Sequence, residues 1–231
     1  ACEGTTSLFP VNYFDDRTAF LTQSGQLYNE ANVMALGRVY CFGPTFRAEK
    51  SKTRRHLTEF WHAEVESAWL HNHQIMELEE GMIVHILEEV LSSNRAELDF
   101  LGRDVSVLEN IKAPFDKMKY EDVLDKLNSM GFDLGWGDDF GYKEEKALTQ
   151  ELKSPLYITN FPREKGFYHR PDPNDPKSLV CHDLLAPEGY GEIIGGGERV
   201  WSSDELIERI KEENLEPESY GWYLDIRKFG S

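Results

Sequence analysis

Apolar residues recur along the chain with two different periods, and the periods mark out its elements. Between Gly25 and Gly37 the apolar residues Leu27, Ala31 and Met34 share one face of a helix, with Ser24 as candidate N-cap and Gly37 at the position after the last turn. Val39 to Arg47 and Phe60 to Ala68 alternate in character and predict two antiparallel strands joined by a polar loop. The longest periodic stretch, Asn72 to Leu91, predicts a helix with Ile75, Leu78, Met82, Ile83, Ile86, Val90 and Leu91 on its apolar face. A shorter helix is predicted over Lys119 to Met130, ending at Gly131, and strands over Pro155 to Thr159, Leu179 to Asp183 and Gly191 to Val200. A last helix, Ser203 to Glu213, opens on a capping pattern from Ser202 to Glu205. Arg170 to Pro176 (RPDPNDP) predicts a surface loop. Hairpin-linked strands with helices inserted between them, and no regular βαβ alternation, imply an α+β fold: an antiparallel sheet flanked by helices.

Composition narrows the class. A chain of 231 residues fits one domain and buries a sizeable core without covalent staples. No apolar run approaches the roughly 20 residues of a membrane-spanning helix, and the opening residues carry neither a basic start nor an apolar stretch, so no secretory leader is expected. The three cysteines, Cys2, Cys41 and Cys181, are widely spaced without a CxxC, which suits a reducing cytoplasm. A formal net charge of −17 excludes a broad basic face for gripping nucleic acid, since the longest basic cluster is Lys50 to Arg55. It leaves room for a nucleoside triphosphate, which a few placed arginines hold.

Three stretches concentrate candidate chemistry. In Phe46 to Glu66 (FRAEKSKTRRHLTEFWHAEVE), strand alternation puts Arg47 and Glu49 on one face and Phe60, His62, Glu64 and Glu66 on one face. A guanidinium forks phosphate oxygens, an aromatic ring stacks on a base, and a glutamate accepts from an exocyclic amine. Periodicity alone is equally satisfied by a half-exposed hairpin with charges facing water. In Asp183 to Arg199 (DLLAPEGYGEIIGGGER), Glu192 sits on a strand running into Gly195, Gly196 and Gly197, where a ligand or backbone approaches closely. Asp183 and Glu192 together offer oxygen ligands to Mg2+, with ATP phosphates completing the shell. The third stretch is Thr22 to Glu30 (TQSGQLYNE), with Glu3 near the start of the chain. His62, His71 and His73 lack zinc-ligand spacing, and Trp136 to Asp139 (WGDD) suggests no chemistry of its own.

These strings resemble the class II aminoacyl-tRNA synthetases of the aspartyl/asparaginyl group. FRAE, a variable loop, RHL, EF and E-x-E match motif 2 of that subgroup, and GYGEIIGG matches the stretch ahead of motif 3. The resemblance implies that Arg47 holds the α-phosphate of ATP, that Glu49 contacts adenine, that Arg55 and His56 lie at the outer phosphates, that Leu57 belongs to the ATP site, and that Phe60 stacks the base. It implies Mg2+ at Glu192 and Asp183, with Arg47 and Glu192 as the catalytic pair. An amino-acid pocket would be lined by Glu3, Ser24, Gln26, Asn29, Glu30 and Arg199. Aspartyl members carry lysine where this chain has Asn29; Asn29 followed by Glu30 resembles the asparaginyl form, in which a carboxylate would accept from the substrate amide and repel aspartate. The implied activity is formation of an asparaginyl-adenylate from asparagine and ATP, then transfer to the acceptor end of tRNA(Asn), in a cytoplasmic homodimer. An aspartyl specificity, a tRNA-independent asparagine-forming relative and a non-catalytic module remain as alternatives. Measured against the family, the chain is expected to be a catalytic-core piece lacking motif 1, motif 3 and the anticodon-binding domain.

Overall fold

A computed structural model describes residues 8–14, 17–48 and 57–229. In chain order the elements are β1 (Pro10–Tyr13), β2 (Arg17–Phe20), α1 (Gln26–Leu36), β3 (Arg38–Phe46), β4 (Glu59–Ser67), α2 (Asn72–Ser93), α3 (Arg95–Phe100), α4 (Val105–Glu109) and β5 (Asp116–Lys119). They continue with α5 (Tyr120–Ser129), α6 (Tyr142–Thr149), β6 (Leu156–Thr159), β7 (Pro171–Asp172), β8 (Asp175–Leu179), β9 (Cys181–Ala186), β10 (Gly191–Gly197), α7 (Ser203–Glu212) and α8 (Gly221–Ile226). The described chain divides into two compact units. One holds the residues up to Trp69 with Gly166–Tyr168 and those from Val200 on; the other holds Leu70–Lys165 and His169–Arg199.

In the first unit β3 and β4 form an antiparallel hairpin in which Thr45 faces Phe60, Gly43 faces His62 and Cys41 faces Glu64. Directly opposed residues point to the same side of a sheet, so this register collects Cys41, Thr45, Phe60, His62 and Glu64 on one face. α1 packs against both strands. The core of this unit is built from Leu27, Phe167, Tyr168, Val200, Leu206, Ile210, Tyr220 and Tyr223. The Ser202 hydroxyl caps α7 by accepting from the Glu205 amide at 3.4 Å, as the sequence pattern predicts.

In the second unit four strands lie in the order β10-β9-β6-β5. The β10–β9 and β9–β6 pairings are antiparallel, but β5 pairs with β6 in parallel, so the sheet is mixed at that edge. β5 and β6 run alike because α5 and α6 carry the chain back between them, the crossover a parallel pair requires. The predicted strand at Leu179 to Asp183 is two strands, β8 and β9, broken at Val180, and the predicted surface loop at Arg170 to Pro176 contains the short β7–β8 hairpin.

The inner face of α2 also departs from expectation. Met76, Glu79 and Glu80 are buried, with Ile83, Val84 and Leu87 packed on Phe115, Tyr157 and Leu184. Leu78, Met82 and Ile86 are exposed. Two glutamates occupy inward positions because each has partners there. The Glu80 carboxylate accepts from the Phe115 amide at 3.0 Å, and Glu79 faces the fully buried His182 at 3.0 Å and the Tyr157 hydroxyl at 3.1 Å. Counting apolar residues misses positions where polar groups are buried in pairs.

Candidate active site

The expected site residues are distributed over both units: Ser24, Gln26, Asn29, Glu30, Arg47, Leu57 and Phe60 in the first, Asp183, Glu192 and Arg199 in the second. Glu3, Glu49, Arg55 and His56 lie outside the described residues.

In the first unit Arg47 extends β3 by one hydrogen bond, its amide donating to the Thr58 carbonyl at 3.0 Å. Its guanidinium lies 5.4 Å from the centroid of the Phe60 ring, a cation–π distance. The Phe60 and His62 rings follow at 5.6 Å, so the predicted face carries a guanidinium, an aromatic plate and an imidazole in sequence. Leu57 is exposed, the residue being 65% accessible.

Behind this face the start of α1 is tied to β4 by one carboxylate. Glu64 accepts from the Ser24 hydroxyl, from the Gly25 amide at 2.9 Å and from the Cys41 thiol at 3.1 Å. Burial opposes the Glu64 charge, but these three donors outweigh it and hold the carboxyl below its ordinary value. The Cys41 thiol is pushed up, by burial first and by Glu64 second. The Asn29 amide reaches Cys41 Sγ at 3.3 Å. A Cβ on Gly25 would stand 3.0 Å from Cys41 Sγ and 3.4 Å from Glu64 Oε2, so the glycine of QSGQLY lets the helix start approach the hairpin. Ser24 therefore serves a different end from the predicted N-cap: Gly25 is the cap residue, and Ser24 accepts from the Gln26 amide at 3.1 Å while binding Glu64. The Gln26 side-chain amide nitrogen, Nε2, is buried without a hydrogen-bond partner among the described residues.

Glu30 departs from its expected place at the substrate. It is buried, with one oxygen accepting from the Tyr223 hydroxyl at 2.6 Å and the other from Arg227 Nη2 at 2.8 Å. Both oxygens are held by groups of α8 and the turn after it, so Glu30 joins α1 to the end of the chain. The carboxylate beside Asn29 and Cys41 is Glu64, which the E-x-E alternation places on the correct face but which carries no chemical signal of its own.

In the second unit the acidic pair is assembled by a bulge. Glu192 lies opposite Leu185 and Gly195 opposite Asp183, with the register shifting between Glu192 and Ile194. The extra residue turns Glu192 to the side that Asp183 occupies, which plain alternation would not do. A Cβ on Gly195 would meet Glu192 Oε1 at 3.2 Å and Asp183 Oδ1 at 3.3 Å, so the two carboxylates converge over this glycine. The other two glycines answer to packing. A Cβ on Gly196 would meet His182 Nε2 at 2.8 Å, and one on Gly197 would meet His169 Nδ1 at 2.4 Å and the Cys181 Cβ at 2.7 Å.

Asp183 is 5% exposed, with Oδ2 paired to the Lys165 ammonium and Oδ1 buried without a hydrogen-bond partner among the described residues. Glu192 keeps an open side toward solvent but is closely surrounded by protein. Loss of water first, and the Asp183 charge second, push its carboxyl up to about 8. The pair borders a recess of about 240 Å3 that Asp139 and Glu145 also line. Glu145 accepts from the Glu192 amide at 2.8 Å. Asp139 gives the WGDD stretch a place beside the site, while Asp138 closes its turn by accepting from the Gly135 amide at 2.7 Å. Arg199 follows β10 and forms an antiparallel bridge with His169. Lys165, Glu145 and Asp139 come from segments whose local patterns signal only loop or solvated helix, so nothing in the sequence marks them.

The donor set at Asp183 and Glu192 fits a hard divalent cation: two converging carboxylates, one with a buried oxygen in need of a partner. No group of three or more His, Cys, Asp or Glu that could hold a metal is found among the described residues, so such an ion would need waters or substrate oxygens to complete its shell.

An α+β scaffold presenting an arginine–aromatic face and a glycine-bordered acidic pair has counterparts among known proteins. The family model of class II tRNA synthetases (D, K and N) matches residues 1–231, and the chain belongs to that family. It is 50% identical over 232 residues to the asparagine–tRNA ligase of Desulforamulus reducens, covering 100% of this chain and 54% of that protein. Among solved structures, the asparaginyl-tRNA synthetase of Pyrococcus horikoshii complexed with asparaginyl-adenylate superposes with a TM-score of 0.95 at 45% identity, over 99% of this chain and 53% of that one. The Entamoeba histolytica asparaginyl-tRNA synthetase, also with asparaginyl-adenylate, gives 0.86 at 33% identity, over 97% and 51%. The chain thus spans about half the length of these relatives.

Proposed function

We propose that the protein is an asparagine–tRNA ligase, activating asparagine with ATP and passing it to the acceptor end of tRNA(Asn). The observation that carries this reading is the β3–β4 face, where Arg47 and Phe60 stand in line with a Glu64 carboxylate kept charged beside Asn29. Arg47 neutralises charge at the α-phosphate as the substrate carboxylate attacks, and Phe60 stacks the adenine. A carboxylate has about four lone-pair positions, and Ser24, Gly25 and Cys41 fill three of those on Glu64. The position left is suited to the side-chain N–H of asparagine and disfavours the carboxylate of aspartate. The buried Gln26 amide is a further donor for a substrate oxygen, and Arg199 is assigned to the amino acid by family resemblance. Asparagine as substrate is favoured over aspartate by the two solved asparaginyl relatives with asparaginyl-adenylate.

Asp183 and Glu192 would hold Mg2+, which neutralises phosphate charge when it arrives with ATP. In its absence Glu192 tends to keep a proton and Asp183 keeps Lys165. No helix among the described residues is long and apolar enough to cross a membrane; cytoplasmic placement and a homodimer complete the proposed setting. Pyrophosphate–ATP exchange tests the reading. Exchange that depends on asparagine is expected, with Arg47→Ala lowering its rate by about 10²–10³. Exchange supported by aspartate instead, or none with ATP bound, overturns it.

A further inference from the structure

Lys165, held against Asp183 and Phe161 at the edge of the acidic recess, has no task in the adenylate chemistry. Four carboxylates border or enter this recess, from Asp139, Glu145, Asp183 and Glu192. The Lys165 ammonium pairs with Asp183 Oδ2 and sits 3.5 Å from the centroid of the Phe161 ring. The ring face and the carboxylate fix a compact point charge from two sides. Asp183 Oδ1, buried and without a hydrogen-bond partner among the described residues, is left on the side where it converges with Glu192 over Gly195. Lys165 therefore occupies half of a carboxylate whose other half faces Glu192 and is open to a cation.

We propose that Lys165 is the resident cation of this recess, holding Asp183 in place and keeping a divalent ion from settling there tightly until nucleotide phosphates come with it. The inference rests on Asp183 and Glu192 being metal ligands. Without Lys165 the Asp183 carboxylate offers its full charge and both oxygens to a divalent ion beside Glu192; with it, that charge is already met. An ion at Oδ1 is also repelled by an ammonium on the other oxygen of the same carboxylate, and that repulsion is weakly screened where water is excluded. Phosphate oxygens restore the balance, so metal and nucleotide bind together. Lys165 is a positioning residue here.

Free Mn2+ measured by electron paramagnetic resonance, at fixed ionic strength, reads this directly. In the unaltered protein Mn2+ should bind tightly only when a non-hydrolysable ATP analogue is present; equally tight binding without nucleotide overturns the proposal. Lys165→Met and Lys165→Gln should bind Mn2+ without nucleotide at least about tenfold more tightly than the unaltered protein, while Lys165→Arg, which keeps the charge, should not. Neutral variants that bind Mn2+ no better than the parent also overturn it. Glu192→Gln separates the two readings. If it leaves Mn2+ binding with the analogue unchanged, the metal assignment fails and the lysine inference fails with it. If it weakens that binding while the neutral lysine variants show no gain, only the lysine inference falls.

Discussion

Two candidate carboxylates, Glu64 in the first unit and Glu192 in the second, are crowded by protein and driven in opposite directions. Glu64 is held by a hydroxyl, an amide and a thiol, with His62 Nδ1 3.5 Å away, and stays ionised despite its burial. Glu192 is pushed toward the neutral form by loss of water first and by the Asp183 charge second, with Glu145 and Asp139 beyond, and Lys165 only partly offsets this. Loss of water opposes the charge on both, though Glu192 keeps an open side; the partners decide the sign. A carboxylate held charged by dipoles is preorganised to accept from a neutral amide. One destabilised by like charges calls for a cation, which Lys165 supplies to Asp183.

That contrast can be broken from several directions. The largest effect is expected from Glu30→Ala, which leaves Arg227 buried without its carboxylate and should cost about 3–5 kcal/mol of stability by chemical denaturation. A change in amino-acid preference at unchanged stability would instead return Glu30 to the pocket. Glu64→Gln removes the charge while keeping the shape. It should lower kcat/KM for asparagine roughly 10²-fold with little change in KM for ATP, since a hydrogen bond to a charged group contributes about 1.5–3 kcal/mol. Equal losses for both substrates would mean that Glu64 only ties α1 to β4.

The glycines sharpen the comparison on the other side. Gly197→Ala sets a methyl against His169 and the Cys181 Cβ and should destabilise by about 1–3 kcal/mol, measured as a fall in Tm. Gly195→Ala meets only carboxylate ends and should leave Tm nearly unchanged. The smallest effect is a pH dependence in protein free of nucleotide and metal. Glu192 titrates near 8 in the folded state against 4.5 for an ordinary glutamate, so between those values the folded state binds more protons than the unfolded. Stability then falls as pH rises through that window and the penalty is complete above it. Glu192→Gln should flatten the fall in Tm across it; an unchanged slope would mean that Glu192 titrates normally.

Much of the scaffold was legible because local rules govern it. The β3–β4 hairpin came from strict alternation, and the register then placed Phe60, His62 and Glu64 on one face as predicted. Helix α7 came from its cap and periodicity. What escaped lacks a local signal. Strand β5 is four residues long, mostly exposed, and contains Asp116, Lys117 and Lys119; its pairing with β6 is a long-range choice. α2 was found, but not its inward face, because Glu79 and Glu80 are buried through partners far away in sequence.

The sequence by itself determined the α+β class, the hairpin that carries Arg47 and Phe60, and, by literal likeness, the family. Periodicity and motif strings are properties of neighbouring residues, so they survive without coordinates. Only the tertiary structure decided which carboxylate does what. Glu30, three residues before Val33 on an ordinary helix, is spent on Arg227 and Tyr223, whereas Glu64 is gathered to Ser24, Gly25 and Cys41. Asp183, Glu192 and Lys165 meet through a bulge and a loop that no period announces. The charge state of an acid depends on the few groups within hydrogen-bond reach, and those are chosen by the fold, not by the chain order.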